Sequence, residues 1–141
     1  MKSIKILENK TITDVPFFKA SGIHCGLKKS KKDLCVIYSE RKAVAAAAFT
    51  RNIVKAAPVL LNMKTIDNNN IQAIVANSGN ANACTGDKGY KDAELMAELT
   101  AQELNLSSSE VLVASTGVIG EPLPFDKIKT GIKLACDSLS Y

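Results

Sequence analysis

Residues 71–86 have the sequence IQAIVANSGNANACTG, in which an apolar run gives way to small, polar residues and two glycines. Residues 110–124, EVLVASTGVIGEPLP, show the same change from an apolar run into a glycine-containing segment. Short apolar runs of this kind predict buried β-strands. Glycine at a strand end leaves the backbone open to close approach by another group. The two stretches therefore predict two strands, each ending in a backbone segment that another group can approach closely.

Two long amphipathic helices are predicted, over residues 88–104 and 125–139, where apolar side chains recur at helical spacing. A shorter helix is expected from Pro58 to Met63, because proline is favoured in the first turn of a helix. The residues expected to face inward are Ala93, Met96, Ala97, Thr100 and Leu104 in the first long helix, and Ile128, Ile132, Ala135 and Leu139 in the second.

Further strands are predicted at residues 17–23, 34–38 and 43–49, and residues 2–7 and 11–13 alternate as in a short opening hairpin. The run at 43–49 is rich in alanine, which favours a helix, but it is short, so a buried strand is expected there. Together with strands at 71–76 and 110–115, these elements predict a mixed α/β fold, a layered sheet-and-helix domain spanning residues 1–141.

Composition and charge exclude several classes of function. The 141 residues are 46% hydrophobic and only 5% aromatic, which predicts a core of Ala, Val, Ile and Leu. The net charge of +4 owes much to Lys28, Lys29, Lys31 and Lys32, which are interpreted as a solvated turn. No exposed aromatic residues are interleaved with them, so a nucleic-acid partner is not expected.

The four cysteines, at positions 25, 35, 84 and 136, lack the spacing of a zinc site, and His24 is the only histidine. No metal is therefore expected. No apolar run is long enough to span a membrane, and Met1 is not followed by the apolar region of a signal peptide. The sequence thus predicts a cytoplasmic protein with free thiols and no membrane partner.

Ser115, Thr116 and Gly117 are the main candidates for chemistry. They follow an apolar run, and two hydrogen-bond donors near a glycine could form an oxyanion hole for acyl transfer. An ordinary glycine turn has the same pattern, and the local pattern alone favours it. No nucleophile–base pair accompanies these residues, so the functional interpretation is half of an active site, with the nucleophile on another polypeptide.

The segment from Asn77 to Gly86 is predicted to satisfy its backbone through side-chain hydrogen bonds, either as a scaffold for a neighbouring site or as a structural loop. It lacks the Gly-Lys-Ser/Thr of a phosphate-binding loop and the glycine spacing of a dinucleotide site. Cys84 could be a nucleophile, but a buried, inert thiol is favoured. His24 is expected to be a packed or surface histidine.

The two motifs, AIVANSGNANACTG and EVLVASTGVIGEPLP, in this order and separated by one helix, resemble the ornithine acetyltransferase family, also called the bifunctional glutamate N-acetyltransferases of arginine biosynthesis. Five further segments also resemble the amino-terminal half of the family: residues 18–23, 32–34, 48–52, 55–59 and 123–128. The resemblance covers essentially the whole chain.

The resemblance implies a precursor that cuts itself before a threonine, which becomes the amino-terminal nucleophile of a second, β chain. This sequence corresponds to the α side and ends at Tyr141, before the cleavage site, and the resemblance implies an α₂β₂ assembly. It also implies that Thr116 and Gly117 form the oxyanion hole. An acetyl group would pass from N-acetylornithine to the β-chain threonine and then to glutamate. No cofactor is implied, although some members also accept acetyl-CoA.

Two alternatives remain open from the sequence. One is a self-processing amidase or peptidase on the same fold, in which water replaces glutamate as the acceptor. The other is a non-catalytic domain whose glycine turns are only structural. A threonine-led continuation of the gene would exclude the non-catalytic domain.

Overall fold

The computed structural model describes residues 6–141 and contains one four-stranded sheet with three α-helices. The strands are β1 (Phe18–Ile23), β2 (Leu34–Ala43), β3 (Ile71–Asn80) and β4 (Val111–Val118), and they lie side by side in this order. Strands β1, β2 and β3 are mutually antiparallel, whereas β3 and β4 are parallel. The helices are α1 (Ala57–Thr65), α2 (Gly86–Leu104) and α3 (Phe125–Asp137). The predicted mixed α/β class is confirmed.

The hydrophobic core lies on one face of the sheet, where α2 and α3 pack. Successive side chains of a strand point to opposite faces, so every second residue enters this core. Its buried members include Val36, Val75, Val111 and Val113 from the strands and Met96, Ile128, Ile132 and Ala135 from the helices. The inward faces predicted for the two long helices are therefore confirmed, with Leu104 and Leu139 partly buried at the margin of the core.

The opposite face of the sheet is apolar but open. It carries the alternate strand residues, such as Ile37, Ile74 and Leu112, and Ile74 is 37% exposed. Among residues 6–141, no helix or strand covers this face. A hollow of about 220 Å³ lies on it, lined by Phe18, Ala43–Ala46 and the residues just named, among others. The sheet therefore presents an exposed apolar surface on this side.

Helix α1 protects the outer edge of β4, which is a border strand of the sheet. The side-chain amide of Asn62 donates to the carbonyl of Val113 at 2.8 Å and accepts from the Val113 N–H at 3.0 Å. This side chain thus takes the place of a neighbouring strand, since it satisfies both backbone groups that a fifth strand would use. The predicted short helix at 58–63 is confirmed and has this specific function in the fold.

The predicted strand at residues 43–49 is wrong. Strand β2 shifts register between Tyr38 and Ala43 and ends there, after which the chain leaves the sheet. Val44 is 83% exposed, and the alanines that follow are partly or fully exposed. Alanine buries too little apolar area to hold such a run in a core by itself.

The predicted opening hairpin is not supported where it can be assessed. Residues 2–5 lie outside the described residues, and its second arm, 11–13, falls on a 3₁₀ turn at Ile12–Asp14. The long helices differ from prediction only at their ends, since α2 begins at Gly86 and α3 ends at Asp137.

Candidate functional site

The two glycine-containing motifs meet at one edge of the sheet, because β3 and β4 are parallel and end side by side. The register pairs Asn77 with Ser115, Ser78 with Thr116 and Gly79 with Gly117. In α/β sheets, ligands bind at the carboxyl ends of parallel strands, where the loops diverge. The motifs, whose paired residues are 38 positions apart in sequence, therefore form one candidate site.

Thr116 and Gly117 are both exposed at this edge. Thr116 lines a hollow of about 220 Å³ together with Gly22, Lys32 and Ser78, among others. The sequence predicted that these residues follow the strand, whereas β4 continues through them to Val118. Their backbone is thus held by pairing with β3 rather than free in a loop, which restricts the positions of the N–H groups.

Gly117 is required by the close approach of β3. Its φ of +136° belongs to a region that other residues rarely adopt, and a Cβ there would lie 2.3 Å from the carbonyl carbon of Gly79. The same Cβ would lie 2.6 Å from the nitrogen of Asn80. A methyl group at this position would therefore collide first with the neighbouring strand β3.

The segment from Asn77 to Gly86 satisfies backbone groups through side chains, as predicted. Asn77, Asn80 and Asn82 are all buried, and each hydrogen-bonds at least one backbone group. The hydroxyl of Ser115 donates to the side-chain oxygen of Asn77 at 2.6 Å, which connects the two motifs directly. Sequence reasoning did not identify Ser115 or Gly79 as partners across the strands. Their places in the motifs were the only signal, because register is not visible in sequence.

A buried carboxylate organises the lysine-rich turn beside the hollow. Asp33 accepts the backbone N–H groups of Cys25 at 2.7 Å and Lys28 at 2.8 Å. Burial by itself would raise the pKa of Asp33, but the hydrogen bonds from Lys28 and Cys25 outweigh it and lower the pKa to about 2. Asp33 and Lys32 both line the hollow that contains Thr116, so a negative and a positive group border it.

The other nucleophile and base candidates take no part in this site. His24 is exposed, and its Nδ1 lies 2.8 Å from the carbonyl of Lys31 and 3.1 Å from the carboxylate of Asp33. A packed or surface histidine was predicted, and His24 is at the surface. Burial, with a further contribution from Asp33, raises the pKa of the Cys25 thiol to about 11, so this thiol is protonated at neutral pH.

The predicted burial of Cys84 is wrong. Cys84 is exposed and has a left-handed backbone with φ of 58°, at the turn that precedes α2. It borders a hollow of about 430 Å³ whose other lining residues include Lys55, Leu60 and Tyr90. The turn carries the residue away from the core that α2 covers, which the apolar character of cysteine could not reveal.

Within residues 6–141, no group of three or more His, Cys, Asp or Glu side chains is arranged to hold a metal ion. None of the helices in this part of the chain is both long enough and apolar enough to cross a membrane.

Comparison with known sequences identifies relatives of the whole described fold. The profile of the ArgJ family matches residues 19–140. The arginine biosynthesis bifunctional protein ArgJ 1 of Clostridium acetobutylicum is 64% identical over 136 residues, which are 96% of this chain and 33% of that protein. The arginine biosynthesis bifunctional protein ArgJ of Caldanaerobacter subterraneus is 57% identical over 123 residues, 87% of this chain and 30% of that protein. The chain thus spans about a third of the length of these curated relatives.

Solved structures of an ornithine acetyltransferase and of an ArgJ protein also superpose on this chain. The ornithine acetyltransferase of Mycobacterium tuberculosis, solved in complex with ornithine, superposes with a TM-score of 0.90 at 38% identity, covering 95% of this chain and 73% of that one. The arginine biosynthesis bifunctional protein ArgJ of Bacillus halodurans superposes with a TM-score of 0.88 at 44% identity, covering 90% of this chain and 67% of that one.

Proposed function

Because this chain belongs to the ArgJ family, we propose that it is the amino-terminal, α part of an acetyltransferase that moves an acetyl group from N-acetylornithine to glutamate. Several relatives are named as bifunctional proteins of arginine biosynthesis, and one is an ornithine acetyltransferase solved with ornithine. The observation that carries the proposal is the meeting of the two motifs at the carboxyl ends of β3 and β4, with Thr116 and Gly117 exposed. The proposed setting is the cytoplasm.

The proposed chemistry is a two-step acyl transfer. The hydroxyl of a threonine at the start of a β chain attacks the acetyl carbonyl, and its own α-amino group takes the proton. The carbonyl oxygen becomes an oxyanion, which Thr116 and Gly117 stabilise by hydrogen bonding. The intermediate collapses by breaking the C–N bond, and ornithine leaves with the proton. The amine of glutamate then attacks the acetyl ester and restores the threonine hydroxyl.

The role of this chain is to hold donors in place before the reaction begins. A preorganised donor costs no reorganisation when charge develops, and it acts on the transition state more than on the substrate. Pairing of β4 with β3 restricts the backbone at Thr116 and Gly117, which supports this role. No step of the transfer uses a metal or prosthetic group, and acetyl-CoA would enter only as an alternative acetyl donor.

The proposed partner is a β chain from the same precursor, in an α₂β₂ assembly. The open apolar face of the sheet, with Ile37, Ile74 and Leu112, supports this proposal because it needs cover. The chain also spans about a third of its curated relatives, so a large part of such a protein lies beyond it.

Replacement of Thr116 by valine tests the proposal most directly, since valine removes the hydroxyl and nearly keeps the shape. If the hydroxyl donates to the oxyanion, Thr116→Val in the full-length enzyme should lower kcat about a hundredfold, ~3 kcal/mol, with little change in KM. Thr116→Ser should remain near wild type. Thr130→Val, on an exposed turn of α3, controls for hydroxyl loss elsewhere.

The readout is acetyl transfer from N-acetylornithine to glutamate, with acetate release measured in parallel. Acetate without acetylglutamate would identify an amidase on the same fold. Self-cleavage also forms an oxyanion, but at another carbonyl, so the precursor should still be cut in Thr116→Val. Wild-type turnover in that variant would remove the hydroxyl from the mechanism.

A further inference from the structure

Ser115, which immediately precedes Thr116, is fixed by a buried asparagine on the neighbouring strand. Its hydroxyl donates to the side-chain oxygen of Asn77 at 2.6 Å, and Asn77 is only 3% exposed. The amide nitrogen of Asn77 in turn donates to the carbonyl of Asn80 at 2.9 Å. Both ends of the Asn77 side chain are therefore engaged, and the Ser115 hydroxyl has a fixed acceptor.

The chain that follows Gly117 is fixed by a second asparagine. The side-chain nitrogen of Asn80 donates to the carbonyls of Glu121 at 3.0 Å and Pro122 at 3.2 Å, while its oxygen accepts the N–H of Asn82 at 2.8 Å. The backbone adds a bond from the N–H of Ala81 to the carbonyl of Val118 at 2.8 Å. Thr116 and Gly117 are thus held on both sides by the end of β3.

A third asparagine attaches this network to α2. Asn82 is fully buried, its oxygen accepts the hydroxyl of Thr85 at 2.8 Å, and its nitrogen donates to the carbonyl of Gly89 at 2.8 Å. A buried polar network in which each member is satisfied restricts its members to one arrangement. The network therefore connects α2, a helix of 19 residues, to the strand end that bears Thr116, and it fixes the position of that end relative to the helix.

From this geometry we infer that Ser115 and Asn77 are positioning residues for the acyl transfer: their hydrogen bond sets where the donors of Thr116 and Gly117 point. The inference rests on the proposed oxyanion role of that pair. An error of about 1 Å in the position of a catalytic group can cost on the order of a hundredfold in rate. Ser115 is half-buried, so loss of its hydroxyl leaves β4 paired but frees the segment to shift.

The test compares Ser115→Ala with Ser39→Ala in the full-length enzyme. Ser39 is a matched control, because its hydroxyl also makes a 2.6 Å hydrogen bond, to the carbonyl of Arg41, at the other end of the sheet. Ser115→Ala should lower kcat about tenfold and leave KM within about twofold. Ser39→Ala should lower the melting temperature about as much as Ser115→Ala does, but it should leave kcat unchanged. Equal kcat in the two variants would overturn the inference.

A graded series separates positioning from general loss of stability. Ser115→Thr keeps a hydroxyl and should retain most of kcat, whereas Ser115→Cys has a weaker donor and should give an intermediate value. If kcat follows melting temperature instead of donor strength, Ser115 is only structural and the inference fails.

A double-mutant cycle with Thr116→Val asks whether Ser115 acts through its neighbour. If it does, Ser115→Ala should cost much less in the Thr116→Val background than in wild type. Fully additive losses would overturn the positioning of the Thr116 hydroxyl by Ser115 while leaving the oxyanion role of Thr116 intact. Absence of acetyl transfer in the wild-type enzyme would overturn the proposed function, and the inference with it.

Discussion

Gly117→Ala should destabilise the protein by pressing β4 against β3, before any effect on catalysis is considered. The new Cβ would lie 2.3 Å from the carbonyl carbon of Gly79, whereas ordinary contacts begin near 3.4 Å. The strands must therefore separate by about 1.1 Å at this point, the difference between those two distances. Separation would also weaken the ladder that holds Thr116 beside Ser78.

Two effects contribute to the expected loss in the free energy of unfolding of Gly117→Ala. An alanine held at a left-handed φ costs roughly 1–2 kcal/mol, and overpacking in a tightly packed region typically costs about 1–3 kcal/mol. Gly120→Ala provides a matched control, because Gly120 has a φ of +79° but its Cβ would meet nothing within 4 Å. The difference between the variants isolates the collision and should be about 2 kcal/mol.

The assay is thermal unfolding of the full-length protein, with the amount of soluble protein as a second measure. Gly117→Ala should melt several degrees below Gly120→Ala. Equal melting temperatures would refute the reasoning, because the collision would then have been relieved at no cost. Gly117→Ala should also lose acetyl transfer, but that loss would not by itself identify an oxyanion donor.

Two further predictions concern the rest of the chain. Asp33 has a pKa of about 2 against an ordinary 3.8, so its stabilising effect, about 2 kcal/mol, is present above pH 4 and is lost as the pH falls toward 2. Asp33→Asn should therefore have a lower free energy of unfolding than wild type at pH 7, and this difference should shrink by pH 2. A difference that does not change with pH would contradict the prediction. Asp67→Asn, on an exposed turn, is the control. Residues 1–141 expressed alone should bind a hydrophobic dye at the open face of the sheet, where Ile74 is 37% exposed, and should be catalytically silent. A monomer that unfolds cooperatively and binds no dye would show that the face needs no cover.

The alanine-rich run and Cys84 show where local sequence was insufficient. Both were expected to be buried because their residue types are usually found in cores. Val44 is 83% exposed, and Cys84 is exposed as well. Burial depends on whether another element packs against a residue, and in both segments the chain itself turns away from the core. By contrast, the faces of α2 and α3 were predictable, since a helix that packs on a sheet must repeat its apolar residues at helical spacing.

The sequence by itself determined the family and most of the helices and strands, though not the structure of residues 43–49 or 11–13. The apolar runs at 71–76 and 110–115 were predicted as buried strands and are strands, and the two motifs were specific enough to indicate the ornithine acetyltransferase family. The tertiary structure alone decided that β3 and β4 are parallel neighbours in a register that places Ser115 on Asn77 and Gly117 on Gly79. Register is a relation between segments distant in the chain, fixed by packing of α2 across both strands, so no local pattern encodes it. For that reason Thr116 and the asparagine-rich segment were both visible in the sequence, whereas the hydrogen bond that joins Asn77 to Ser115 became visible only in the fold.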